Sequence, residues 1–295
     1  MKRITILVLA VLTLGLAAGT AWAAFDNLDT SPRARAMGDA GVATADDAFA
    51  PYFNPAGMAA QTMYSLGNSY VKPHQLDFTD QLYFGGVIPA GRYGGVGFGL
   101  RRFATTFEGV DLHTESTFTL AHGIRLYEDL HTTIDFGSAL NFYRLEFGET
   151  VTGIDPGDAM TTGADVGFLV SLHRRTRIGV MVKNINNPQI GLDNEELVQR
   201  LHGGLAYEPY DGVTTVFEIE SRLGLDPMYH GGVEFSVLEN LYLRTGIMTN
   251  PNKLSAGFGY SFEGFGVNYA YSTGGGVLKP SHQFGMTFAW GGEAP

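Results

Sequence analysis

The residues of this chain that carry chemistry are charged groups set one by one into apolar runs. Glu218 and Glu220 flank Ile219, Glu234 follows Val233, and Arg244 follows Leu243. Arg101, Arg125, Asp135, Asn141, Asp165, Arg177, Lys183 and Arg200 occupy similar places elsewhere. A strand turns successive side chains to opposite faces, so a spacing of two puts these groups on one side and the apolar residues on the other. Carboxylates and guanidinium groups sharing one face can line a polar passage. They can equally form ion pairs that pin whatever packs against them. The sequence leaves both roles open for Glu218, Glu220, Glu234 and Arg244.

Other chemistry is sparse. No Gly-x-Ser-x-Gly elbow and no phosphate-binding loop occurs. Gly95-x-Gly97-x-Gly99 imitates a dinucleotide fingerprint but lies inside a striped strand with no helix after it. Close approach of another segment explains those glycines better. Eight histidines (74, 113, 122, 131, 173, 202, 230 and 282) make no His-x-x-x-His pair, and there is no cysteine. Asp155-Pro156-Gly157-Asp158 offers carboxylate oxygens to a calcium ion, but such a cluster is more often a solvated turn. A non-enzymatic protein without metal or cofactor is expected.

Residues 24–61 do not alternate. In this small-residue segment Phe49, Tyr52, Phe53 and Met58 stand out as large apolar groups. They could meet a ligand in a greasy pocket or anchor the segment to a wall. Asn54 precedes Pro55, and its amide can cap backbone where proline has no N–H to give. A short helix is expected over Thr44 to Ala50, broken by Pro51. A segment this small cannot bury a core alone, so it is expected to fill the lumen of a larger element as a hatch.

That element is a striped sheet. Leu254, Phe258, Tyr260 and Phe262 alternate with Ser, Gly and Ala, and Phe265, Val267, Tyr269 and Tyr271 repeat the pattern. Fourteen strands are expected, at 62–73, 78–89, 93–106, 113–126, 130–146, 161–173, 176–183, 197–208, 213–222, 229–237, 240–249, 253–262, 265–273 and 282–290. The outward face would carry Leu82, Leu100, Phe118, Leu120, Leu140, Phe168, Phe217, Leu243 and Phe284, among others. Connections expected to be short alternate with mostly longer ones at 107–112, 147–160, 184–196, 223–228 and 274–281, the tip at 249–252 being an exception. This is the pattern of a membrane barrel, with short periplasmic turns and longer outer loops. An even strand count puts both ends of the barrel in the periplasm.

The address agrees. Lys2-Arg3, the apolar run Ile4 to Ala18 and Ala21-Trp22-Ala23 read as a secretory signal peptide over 1–23. Removing it moves the formal net charge from −11 to about −13. So acidic a chain argues against a nucleic-acid partner. The expected architecture is all-β: a 14-stranded antiparallel transmembrane β-barrel over 62–295, with an N-terminal lumenal hatch over 24–61.

The N-terminal residues also carry a resemblance. Ala34-Arg35-Ala36-Met37-Gly38-Asp39-Ala40-Gly41, Ala45-Asp46-Asp47-Ala48 and Asn54-Pro55-Ala56-Gly57 resemble the signature of the PorV/PorQ family of outer-membrane proteins, which is related to FadL-type transporters of hydrophobic compounds. His230 to Glu234, Leu241 to Gly246, Leu254 to Tyr260 and Ser281 to Phe284 are similar as well. Pro51 and the tail after Trp290 depart from the family pattern. The resemblance implies a barrel in the cell outer membrane, in contact with its lipid, through which a hydrophobic small molecule passes passively when the hatch moves. It also implies a second possibility, an accessory barrel for protein secretion that engages an exported protein. Trp290 would serve as the terminal aromatic read by the barrel-assembly machinery.

Overall fold

A computed structural model of the chain describes residues 25, 30–148, 157–191, 194–223, 225–274 and 277–291. The signal peptide, and Asp155 and Pro156 of the acidic loop, lie outside the described residues.

The strands are β1 Tyr64–Val71, β2 Thr79–Pro89, β3 Gly95–Phe107, β4 Val110–Glu128, β5 Thr132–Phe147, β6 Asp158–Leu172 and β7 Thr176–Lys183, then the two-residue β8 Gln189–Ile190 and β9 Glu195–Glu196. They continue with β10 Arg200–Tyr210, β11 Val213–Arg222, β12 Met228–Leu238, β13 Leu241–Met248, β14 Lys253–Phe262, β15 Phe265–Ser272 and β16 Ser281–Trp290. All but β8 and β9 form one closed antiparallel barrel of 14 strands. The seam is β1 against β16, with Tyr64 opposite Trp290 and Val71 opposite Gln283. Trp290 stacks on Tyr64 at 5.6 Å and on Phe288 at 5.2 Å. Closure leaves no sheet edge unpaired, so the wall satisfies its own backbone without water.

The faces are inverted relative to a soluble protein. Leu100, Phe118, Leu120, Leu140, Phe142, Phe168, Phe217 and Phe284 are exposed on the outside, while Arg101, Asp135, Asn141, Asp165, Glu218, Glu220, Glu234 and Arg244 are buried within. Register holds the apolar rows level across strands: Phe98, Leu120 and Leu140 stand side by side on β3, β4 and β5.

The connections at the Tyr64 and Trp290 end run from two residues (211–212, 239–240, 263–264) to five (90–94). At the opposite end they reach residues 184–199, which carry the β8–β9 hairpin. One expectation fails there. Residues 107–112 are not a long loop but a two-residue turn, because Glu108 (φ 50°) and Gly109 (φ 81°) take the left-handed conformation a tight hairpin needs. β3 and β4 therefore stay paired up to Phe107 and Val110.

Residues 30–61 lie inside the barrel as a plug. Helix α1, Pro32–Ala36, is capped by the Ser31 hydroxyl, which accepts from Ala34 N–H. The expected helix over Thr44 to Ala50 is absent. Instead α2 spans Ala50–Phe53, with Pro51 in its first turn, where a missing N–H costs nothing. A 3-10 segment, Pro55–Ala60, follows.

The plug meets wall glycines on one strand after another. A Cβ on Gly285 of β16 would strike Pro32, on Gly257 of β14 Ala36, and on Gly246 of β13 the Met37–Gly38 backbone. Val42 occupies the space beside Gly204 and Gly179, Asn54 that beside Gly167, and Ala56 that beside Gly137. Gly95 and Gly97 receive Met58, whereas Gly99 faces the Tyr83 hydroxyl. The glycines of the false fingerprint thus make room mainly for the plug.

Leu120→Arg places a cation in the middle of the lipid-facing belt. It should cost about 2–4 kcal/mol in urea unfolding from lipid vesicles, while Glu239→Arg in the exposed 239–240 turn should leave the midpoint unchanged.

Candidate lumenal site

The plug is fixed to the wall by two sets of polar contacts. The deeper set is uncharged or partly so on the plug side. Asn54, fully buried, donates from Nδ2 to the carbonyls of Val42 and Phe168 (3.0 and 3.1 Å) and accepts from Ala56 N–H (3.1 Å) through Oδ1. Glu218 accepts from the N–H groups of Gly41 and Val42 (2.8 and 3.0 Å). His230 Nδ1 lies 2.7 Å from the Gly38 carbonyl, and the Tyr83 hydroxyl donates to the Ala48 carbonyl.

The second set is a chain of ion pairs. Arg33 of α1 binds Glu234 in fork geometry (3.0 and 2.9 Å) and Asp46 at 2.7 Å. Asp46 also binds Arg177 of β7 at 2.9 Å, and Glu234 also binds Arg244 of β13. The chain Arg177–Asp46–Arg33–Glu234–Arg244 therefore ties β7 to β12 and β13 through the plug. Arg33, Asp46 and Arg177 are partly solvent-exposed, so this set is screened more than the first.

Asp46 and Asp47 belong to the plug rather than to the strands. Burial pushes the Asp46 carboxyl up, but Arg33 and Arg177 together outweigh it and hold it at about 2. Burial, and then the neighbouring charge of Asp46, push Asp47 up to about 6. Asp46 thus stabilises the seated plug above the ordinary carboxylate range, and that stability is lost as pH falls towards 2. Asp47 acts in reverse: its contribution is present below the ordinary range and is lost as pH rises through 6.

Above the plug, at the end with the longer connections, is a cavity of about 230 Å³. Asn250 and Pro251 of the β13–β14 connection reach it, as do Met228 and Met248 at strand ends. Its aromatic lining is Phe25, Tyr52, Phe53 and Tyr143. Phe25 meets Tyr143 edge to face at 5.0 Å, and Ile190 of β8 and Leu197 pack on the same cluster with Leu145. The remaining lining is strongly polar and includes Arg101, Asp165, Lys183, Arg200, His202, Glu218, Glu220, Arg222 and His230.

Most of those charges are paired. Glu220 holds Arg200 and Arg222 (2.9 and 2.8 Å), and Glu218 binds His202 Nδ1 at 2.9 Å. Asp165 accepts from Asn184 N–H and Asn141 Nδ2 (2.8 and 2.7 Å). Among the described residues, no carboxylate lies within ion-pair distance of Arg101 or Lys183. Arg101, only 8 % exposed, hydrogen-bonds Thr117 through Nη2. Both cations face the Tyr52 ring instead, Lys183 Nζ at 3.5 Å and the Arg101 guanidinium carbon at 5.4 Å from its centre.

The residues singled out from sequence separate into groups. Tyr52 and Phe53 line the cavity. Phe49 stacks on Tyr83 at 5.0 Å, Met58 is buried against the wall, and Asn54 and Pro55 seat the plug. Glu218 and Glu220 line the cavity, and Glu218 also hydrogen-bonds the plug. Glu234 and Arg244 lie in the ion-pair chain away from it. Sequence reasoning put Arg101 and Lys183 on the inner face but missed that neither forms an ion pair with a carboxylate, since that depends on which strands hold the acids. Among the described residues, no group of three or more His, Asp or Glu is arranged to hold a metal ion.

No protein-family model matches the chain, and the comparison with curated proteins finds no match either. Solved structures do match. A deltaS2 mutant of the TodX monoaromatic hydrocarbon channel superposes with a TM-score of 0.63 at 13% identity, covering 91% of this chain and 100% of that one. The P. putida toluene transporter TodX gives 0.62 at 13% identity over 91% and 100%. A Pseudomonas aeruginosa FadL homologue gives 0.58 at 10% identity, again over 91% and 100%. The chain shares the fold of these FadL-type barrels.

Two substitutions separate the roles of the adjacent acids. Asp46→Asn should speed amide exchange across residues 30–61 at pH 7, read by mass spectrometry in detergent micelles. Asp47→Asn keeps an oxygen for Phe49 N–H and should slow that exchange, with the difference vanishing near pH 4.

Proposed function

We propose that this chain is a plugged outer-membrane channel for the passive passage of small hydrophobic compounds, and that those it favours carry an anionic head. The loop end faces outward and the short turns face the periplasm. A compound reaches the cavity from outside, rests its apolar body on Phe25, Phe53 and Tyr143, and passes when the plug moves. Its own gradient drives it.

The observation that carries this reading is a pair of lumenal cations, Arg101 and Lys183, that make no direct ion pair with a carboxylate and lie beside an aromatic face. A buried guanidinium lacking a counter-ion is costly, and a carboxylate, sulfonate or phosphate head would relieve the cost through charge-assisted hydrogen bonds. Support for the apolar body comes from the shared fold, since neighbours are described as a toluene transporter and a monoaromatic hydrocarbon channel. The greasy pocket anticipated from Phe49, Tyr52, Phe53 and Met58 becomes, on this reading, an amphipathic one to which Tyr52 and Phe53 contribute. Membership of the PorV/PorQ group within the wider fold rests on the N-terminal signature in the sequence.

Uptake tests the reading. Cells lacking the gene should take up less labelled dodecanoate, and the wild-type gene should restore uptake. The double variant Arg101→Met, Lys183→Met should restore about a tenth of it or less, on the order of one charge-assisted contact, while still passing toluene. Equal rescue by the double variant would refute the anionic-head assignment, and unchanged uptake of both compounds on deletion would refute transport.

A further inference from the structure

We propose that Tyr52 couples occupancy of the cavity to release of the plug. This rests on the reading of Arg101 and Lys183 as the site for an anionic head, and it adds the means by which the plug senses that head.

Arg101 lies on β3 and Lys183 on β7, with β4, β5 and β6 between them in the wall. One plug side chain, the ring of Tyr52, meets both. It bridges two separated sectors of the lumen and supplies the π electrons that partly compensate two cations with no carboxylate in direct contact. A cation on a ring face is held more weakly than one on a carboxylate. An anionic head entering the cavity therefore competes with the ring and wins. The ring then loses its hold on both sectors at once.

The loss falls on a sensitive part of the plug. Tyr52 sits in α2, next to Phe53, which it meets edge to face at 5.1 Å. Phe53 in turn fills the space beside Gly41, and Asn54 follows directly. Freed of its cations, α2 keeps the apolar packing of Phe49, Ala50, Pro51 and Phe53 and the hydrogen bonds of Asn54, but no charged tie to the wall. An empty cavity keeps the plug seated, and a filled one loosens it.

The experiment uses the purified, processed full-length chain in carboxylate-free detergent, with 11-(dansylamino)undecanoate as probe. Affinity is read from dansyl fluorescence, and plug opening from amide exchange over residues 49–58. In the wild type the probe should speed that exchange. Tyr52→Phe keeps the π face and should match the wild type within about twofold. Tyr52→Leu removes the competitor, so it should bind the probe about tenfold tighter, with exchange already fast and little changed by the probe. Tyr52→Trp, the stronger π partner, should bind more weakly and respond less, which keeps the test decisive if the leucine variant fails to fold.

Equal affinities for the Leu, Tyr and Trp proteins, or a plug unmoved by a probe whose binding needs Arg101 and Lys183, would overturn the coupling and leave the anion site standing. Failure of the wild type to bind, or undiminished binding by Arg101→Met, Lys183→Met, would overturn both.

Discussion

A wall that crosses hydrocarbon must satisfy every backbone N–H and C=O from within. Everything else in this molecule follows from meeting that demand by closing fourteen strands on themselves. Closure fixes the register, and register fixes which side chains face out, because a slip of one residue would exchange the faces. The outside must then be apolar, and the charges have nowhere to go but the lumen. Ions gathered in a narrow lumen must be paired or met by something placed inside. The plug is that something, and the wall admits it by dispensing with side chains where the two approach.

The barrel was largely legible in the sequence because a period of two over some ten residues survives any detail of packing. The stripes at 213–222 and 253–262 coincide with β11 and β14. The 107–112 connection was misjudged because positive φ at Glu108 and Gly109 is a backbone choice that the side-chain pattern does not signal. Inside the lumen the sequence was less informative. Pro51 was read as a helix breaker, yet it sits in the first turn of α2, where proline is tolerated. Arg33, the hub of the ion-pair chain, belongs to the one segment with no alternation to mark an inner face. Its main partner, Glu234, is 201 residues away.

The same limit explains the candidate site. Alternation places Arg101, Lys183, Asp165, Glu218 and Glu220 on a common inner face, but it cannot say which cations and acids meet. The barrel order decides. Asp165 is hydrogen-bonded by Asn141 on the next strand and by Asn184 beyond β7, and it feels the charge of Lys183 without forming an ion pair with it. Glu220 is taken by arginines on its own and the adjacent strand. Two positive groups remain over, and the aromatic ring they share comes from the plug. A cavity that is greasy by composition of the plug is thus amphipathic by arrangement of the wall.

The path of the plug around the wall bears on how the molecule is put together. Its C-terminal part, Pro55 to Met58, meets β3 to β6, strands that follow it closely along the chain. Its N-terminal part, Pro32 to Met37, meets β12 to β16, strands that are made last. Contacts near in sequence close small loops and form early, whereas distant ones wait on large loop closures. Seating is therefore expected to proceed backwards along the plug, from Met58 towards Pro32. On this ground α1, which precedes the whole wall in the chain, is expected to find its place after Met58.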